Sequence, residues 1–354
     1  MISEYYHGGN KMILLKIIGS VLFIVFIYLF VIIFLPVLEV KKQPVNRKEH
    51  SEQKKPSCRK DISFYVEGDT LKGWLYLPEN TVGKISCIVM SHGFGGTKDM
   101  VLENYALKFV EKGYGVLTYD YRFYGDSGGQ PRQLYCGKFQ LDDLRGAVDF
   151  VRNLDIVDDE KIVLWGTSAA GGYGLNIAGE DGKIAGVISQ CAALDHKEDS
   201  KLYIEREGYG FFFKLFMHGQ RDKGRSRFEL SPHLFPAYGK PGTTAMITAP
   251  GAFEGIEKLA GDSTTFKNEA CARLSLMPHA DDPIKSAETV QCPVLFLTCE
   301  NDELVSSKSH KRAAEILGDK AVVKAYPIGH FDIYFGEWFE KAVNDQIEFI
   351  KTLI

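Results

Sequence analysis

Val163-Leu164-Trp165-Gly166-Thr167-Ser168-Ala169-Ala170-Gly171-Gly172 is the stretch from which the rest of the chain can be read. A buried apolar run stops at a glycine, a serine follows two residues later, and an apolar, helix-compatible segment continues through Ala178. A strand, a sharp turn and a helix packed this tightly need small side chains on both sides of the turn, and the geometry pushes the serine side chain outward. Ala170 stands where a GxSxG pattern has its last glycine, and glycine arrives one residue later; one added methyl group is expected to fit. Taken alone, the same residues also read as a glycine-rich helix start with Ser168 as its N-cap. The choice between the two rests on partners elsewhere in the chain.

Working outward, short apolar runs alternate with helical periodicities. Ile62 to Val66 and Leu71 to Leu77 flank Glu67-Gly68-Asp69-Thr70, the pattern of an antiparallel hairpin. Strands are expected at Ile85 to Met90, Gly115 to Tyr119, Lys161 to Trp165, Ile184 to Gln190, Val294 to Thr298 and Val322 to Tyr326. Helices are expected from about Val101 to Lys112, through Leu141, Leu144, Ala147, Val148 and Val151, and from about Ser307 to Leu317. A last amphipathic helix carries Phe339, Ala342, Val343, Ile347 and Ile350. This alternation implies an α/β fold, with a mainly parallel central sheet covered by helices on both faces and active groups beyond the carboxyl ends of its strands. Residues 195–290 break the alternation and read as an inserted cap, with core segments at 61–194 and 291–354.

A serine hydroxyl is a poor nucleophile until a histidine takes its proton, and that histidine needs a carboxylate to fix its tautomer. Each should sit on a loop beyond a strand, in the order serine, acid, histidine. After Val294 to Thr298 comes Cys299-Glu300-Asn301-Asp302-Glu303, and Asp302 is the expected acid, with Glu300 and Glu303 as neighbours and Asp195 as a second position for it. After the last strand, Pro327-Ile328-Gly329-His330-Phe331-Asp332 supplies His330 as the base; Asp332 is too near in sequence to support it from behind. Ser91-His92-Gly93-Phe94-Gly95-Gly96 follows another strand, and the amides of Phe94 and Ala169 are the expected pair of donors to a developing oxyanion. His92, at the start of that loop, reads as a residue that orders it.

On these motifs the chain, from about Ile62 onward, resembles the α/β-hydrolase superfamily, in the branch of serine aminopeptidase-like, Xaa-Pro dipeptidyl-peptidase-like and dienelactone-hydrolase-like proteins. Tyr119-Asp120-Tyr121-Arg122-Phe123-Tyr124-Gly125-Asp126-Ser127-Gly128-Gly129 is similar to a structural turn of that family, and His330-Phe331-Asp332-Ile333-Tyr334 also looks like family sequence. The resemblance implies hydrolysis of an ester, thioester, amide or peptide through an acyl-enzyme. Dienelactone hydrolases carry cysteine at the turn where this chain has Ser168. An aminopeptidase would need carboxylates for its substrate's ammonium, and Glu205, Glu207 or Glu229 in the insertion could serve. An acyltransferase using the same acyl-enzyme is the alternative, and a non-enzymatic membrane-tethered binding module a third.

Ahead of this unit, Ile17 to Leu35 carries no charge and consists almost entirely of Ile, Leu, Val and Phe. As a helix it would be about 28 Å long, enough to cross the hydrocarbon core of a bilayer. The stretch is longer than a signal-peptide core and Pro36-Val37-Leu38-Glu39 offers no small-residue cleavage site, so a retained transmembrane helix over 12–36 is expected, after a tail at 1–11. The linker at 37–60 holds Lys41, Lys42, Arg47, Lys48, Lys54 and Lys55, whereas only Lys11 and Lys16 precede or enter the span. This asymmetry places the C-terminal unit in the cytoplasm by the positive-inside rule. The expected partners are a small-molecule, acyl or peptide substrate and membrane lipid. A net charge of −4 offers no field for nucleic acid, and seven cysteines without a CxxC pair argue for free thiols rather than a metal cluster or disulfide framework. No cofactor is expected.

Overall fold

Alternation of buried side chains along Ile85–Ser91 sets the architecture: Cys87 and Val89 enter one core cluster, Ile88 and Met90 the other. A strand apolar on both sides must be sandwiched, because successive side chains point to opposite faces. The computed structural model describes residues 2–46, 55–79, 81–278, 280 and 282–354. Of the linker cations, Arg47, Lys48 and Lys54 lie outside the described residues.

In chain order the elements are α1 (Ile2–Phe34), β1 (Arg59–Val66), β2 (Asp69–Tyr76), β3 (Ile85–Ser91), α2 (Leu102–Val110), β4 (Gly115–Tyr119), α3 (Gly137–Arg152), β5 (Val157–Thr167), α4 (Ala169–Glu180) and β6 (Ile184–Gln190). There follow α5 (His196–Glu207), α6 (Tyr209–Arg227), β7 (Leu234–Phe235), α7 (Ala252–Leu259), β8 (Ala270–Cys271), α8 (Pro283–Ser286), β9 (Val294–Cys299), α9 (Ser307–Leu317), β10 (Ala321–Tyr326) and α10 (Gly336–Leu353). Among the described residues, eight strands form one sheet in the order β1-β2-β4-β3-β5-β6-β9-β10, parallel from β4 onward and antiparallel at the β1–β2 edge.

The hairpin turns through Glu67 and Gly68, both at positive φ, which matches the strand twist. β5 starts at Val157, earlier than its apolar run, since a neighbouring strand satisfies backbone that periodicity alone cannot assign. Apolar faces of α3, α4 and α9 pack on one side of the sheet, and those of α2 and α10 on the other. β6 pairs directly with β9, so everything from Cys191 to Pro293 leaves the sheet and returns to it. That excursion builds a third apolar cluster around Phe235, Tyr238, Phe253 and Phe266, joined by Phe94 from the loop after β3.

Helix α1 is longer than its apolar core requires, running back to Ile2 and ending at Phe34. Its stretch Lys11–Phe34 is long and apolar enough to cross a membrane. All seven cysteines are free thiols.

Candidate active site

β5 hands over to α4 through one residue. Ser168 has φ 56° and ψ −125°, a backbone region that side chains avoid at a cost of roughly 1–3 kcal/mol. Surrounding hydrogen bonds hold it there: its amide donates to Gln190 O at 2.9 Å, and its carbonyl accepts from Gly171 N and Ala193 N, each at 3.0 Å. Close approach explains the small residues. A side chain at Gly166 would lie 2.2 Å from Ala170 O, and one at Gly171 would lie 2.5 Å from Ala192 Cβ. Ala170 itself is buried in the core, where its methyl group has room, so the missing glycine of the motif is harmless.

The loops after β9 and β10 deliver the other two groups. His330 Nε2 lies 3.1 Å from Ser168 Oγ, and His330 Nδ1 lies 2.6 Å from Asp302 Oδ2. A carboxylate can only accept, so the Nδ1 proton points at Asp302 and leaves Nε2 as the acceptor for the Ser168 hydroxyl. Asp302 is itself held, its Oδ1 accepting from Leu304 N at 2.7 Å and Val305 N at 3.0 Å. The side chains of His330 and Asp302 are only 4% and 1% exposed. Burial disfavours a charged imidazole, yet the neighbouring Asp302 carboxylate outweighs it, and His330 is raised to about 9.

The other acids stand apart from His330. Asp195 N-caps α5 and pairs with Arg312 at 2.8 Å, while Asp332 accepts from the Gly329 amide at 2.9 Å. His92 turns its Nδ1 to the Gly93 carbonyl at 3.0 Å, and burial drives it down to about 4, so it stays neutral.

The loop after β3 lies against the serine. A side chain at Gly93 would lie 3.0 Å from Ser168 Cβ and 3.3 Å from Thr167 O, so one or the other would have to shift by a few tenths of an ångström. Among the described residues, no hydrogen bond takes the amide of Phe94 or of Ala169. Both therefore remain available as donors. The Tyr238 hydroxyl donates to Phe94 O at 2.8 Å and clamps the loop from the inserted segment. A second clamp is Asp99, which accepts from Ser263 Oγ at 2.7 Å, Thr264 N at 2.8 Å and Thr265 Oγ1 at 2.9 Å.

Over Ser168 is a cavity of about 50 Å³ lined by Gly93, Phe94, Tyr238, Ile256, Leu259 and His330, among others. Tyr238, Ile256 and Leu259 were invisible to sequence reading, because the insertion has no period that points a residue at a site. Glu205, Glu207 and Glu229 do not line it: Glu205 faces Lys201 at 4.0 Å and Glu207 pairs with Arg206 at 2.8 Å. A larger cavity of about 620 Å³ lies elsewhere, between the linker and the α6–β7 region, lined by Lys42, Arg221, Arg225 and His233 and by neither Ser168 nor His330.

Comparison with known proteins gives a consistent family. Residues 87–337 match the family model described as alpha/beta hydrolase fold. The quorum-quenching protein AidA of Acinetobacter baumannii (strain MDR-ZJ06) is 37% identical over 299 residues, covering 84% of this chain and 96% of AidA. The thiohydrolase aneE of Aspergillus aculeatus is 37% identical over 295 residues, covering 82% of this chain and 91% of its own. The polyketide transferase grgF of Penicillium sp is 26% identical over 303 residues, covering 83% of this chain and 96% of its own. The crystal structure of alpha/beta hydrolase GrgF from Penicillium sp. sh18 superposes with a TM-score of 0.68 at 22% identity, over 83% of this chain and 98% of that one, a likeness of fold.

Proposed function

The chain belongs to the alpha/beta hydrolase fold family, and from that premise we propose that it is a serine hydrolase, anchored to a membrane by α1, that works through an acyl-enzyme on Ser168. The observation that carries this reading is the unbroken line from Ser168 Oγ through His330 to Asp302, at 3.1 and 2.6 Å. His330 Nε2 takes the hydroxyl proton as Ser168 Oγ bonds to the acyl carbon, and Asp302 stabilises the resulting imidazolium. The amides of Phe94 and Ala169 receive the negative charge that develops on the acyl oxygen, each donor being worth about 3–4 kcal/mol of barrier in comparable sites. His330 then returns its proton to the leaving group. Water, deprotonated by the same imidazole, attacks the acyl carbon and frees Ser168 with release of the acid.

An ester or thioester suits this site better than an aminoacyl peptide. Among the described residues, the lining of the cavity over Ser168 is mostly apolar and aromatic, with His92, Thr97, Thr167 and His330 but no carboxylate to hold an ammonium, and the relative aneE is named a thiohydrolase. Transfer of the acyl group to an alcohol or amine is the second reading, supported by the similarity to a polyketide transferase. The cap over 195–290 would then govern which acceptor enters. The basic linker supports a cytoplasmic catalytic unit.

A fluorophosphonate probe tests the proposal. The purified full chain should be labelled, and Ser168→Ala should lose both labelling and turnover of acyl thioesters, the latter by about 10⁶-fold. Equal labelling of the variant and the unaltered protein would end the assignment. Running the thioester assay with added alcohol or amine separates the two readings, since a transferase yields the acylated acceptor in place of free acid.

A further inference from the structure

Resting on the reading of α1 as a membrane anchor, we infer that α6 is a second membrane-seated element, its aromatic N-terminal half immersed in the lipid that surrounds α1. The two helices touch in a fixed direction. Tyr28 OH donates to Met217 Sδ at 2.9 Å, Arg221 donates to the carbonyls of Ile32 at 2.5 Å and Leu35 at 2.7 Å, Arg225 donates to Ile33 O at 3.1 Å, and Phe34 packs on Phe228 at 5.1 Å between ring centroids. Gly224 makes the approach possible, because a side chain there would meet Ile33 within 2.5 Å. Residue numbers rise together on both helices, so α6 runs parallel to α1.

Two consequences follow from that direction. The arginines satisfy the last carbonyls of α1 and meet the negative end of its dipole, which joins the anchor rigidly to the folded unit. The start of α6 points back along the apolar span. Tyr28 lies six residues before Phe34, about 9 Å into the helix at its rise per residue, and α6 extends a further eight residues beyond the Met217 contact in the same direction. Along that extension Tyr209, Phe213 and Phe216 recur at i, i+4 and i+7 and form one stripe, which Phe213 links through the i+4 position Met217 to the side that touches α1. No protein covers the stripe among the described residues: Tyr209 is 78%, Phe213 63% and Phe216 44% exposed. Residues of α1 at this level are equally bare, with Phe23 63% and Phe26 64% exposed.

Lipid is the occupant these facts select. An aromatic stripe that borders the face packed on a membrane helix, and lies alongside that helix's apolar length, meets hydrocarbon or the headgroup boundary wherever α1 is inserted. The opposite side of α6 buries Leu215 in the cluster that holds Phe94 and Tyr238. The wall behind the candidate oxyanion loop is thereby seated on the bilayer.

Site-specific photocrosslinking of the full chain in phosphatidylcholine–phosphatidylglycerol vesicles tests this, with benzoylphenylalanine placed in turn at Phe23, Phe213, Phe216 and, as an exposed position on the edge strand β1, Tyr65. Lipid adducts at 213 and 216 should approach those at 23 and exceed those at 65 by ~10-fold or more. Adducts at 23 without adducts at 213 and 216 would leave α1 as the anchor and overturn the inference. Absence of adducts at 23 would instead remove the anchor and the inference with it. Crosslinked dimers through 213 would assign the stripe to a second copy of the chain and also overturn it.

Discussion

Ser168 combines a strained backbone with a poised side chain, and the strain is what lifts its hydroxyl clear of the core toward His330. The partner carboxylate controls that histidine. In the proposed mechanism His330 must be neutral to accept a proton, and because Asp302 favours the imidazolium it titrates above the ordinary value of 6.5. Protonation removes the base, so kcat/KM should rise with pH along a limb centred above 6.5. In Asp302→Asn the limb should shift to lower pH while the maximum falls by about 10⁴-fold, because the amide no longer favours the charged ring or fixes its tautomer. Initial rates over a pH series decide the matter; an unmoved limb in the variant would take Asp302 out of the relay. At this scale most of the site was legible in the sequence. Ser168, Asp302 and His330 each follow a recognisable strand, and the neighbouring Glu300 and Glu303 are exposed where the Asp302 side chain is buried.

Between elements, the loop after β3 and the turn from β5 into α4 meet so closely that a methyl group on Gly93 would press on Ser168 Cβ at 3.0 Å. Gly93→Ala should therefore push the Phe94 amide away from the nucleophile. If Phe94 donates to the oxyanion as proposed, the expected result is a loss of about 10²–10³-fold in kcat with little change in KM, since the oxyanion forms only along the reaction path. Steady-state kinetics read the split, and an equal rise in KM would point instead to a blocked cavity. Sequence reading placed the loop and nominated its donors. It did not foresee Tyr238, whose hydroxyl holds Phe94 O, nor α7, whose Ile256 and Leu259 reach the cavity. Their contacts span long separations in sequence, within a segment of short elements that lacks a steady period.

For the whole molecule, one buried ion pair ties the segment after β3 to the turn after β4. Lys98 Nζ lies 2.6 Å from both Asp120 Oδ2 and Asp126 Oδ2, with the Lys98 and Asp120 side chains 2% and 0% exposed. Lys98→Met would leave Asp120 buried without its cation, and the expected loss is about 3–5 kcal/mol of unfolding free energy. Urea unfolding of the full chain in detergent, followed by tryptophan fluorescence, measures it. The double variant Lys98→Met, Asp120→Asn should recover part of the loss, whereas a simple packing defect at position 98 would not respond to the second change.

The core strands and helices in their order, the parallel sheet, the serine turn and the apolar length of α1 are all written in local periodicity and turn chemistry. Only the folded chain shows which residues of the insertion roof Ser168 and that α6 lies parallel to α1. Such choices depend on the directions in which distant segments fold back, and a side chain's neighbours across more than a hundred residues leave no trace in the spacing of its own stretch.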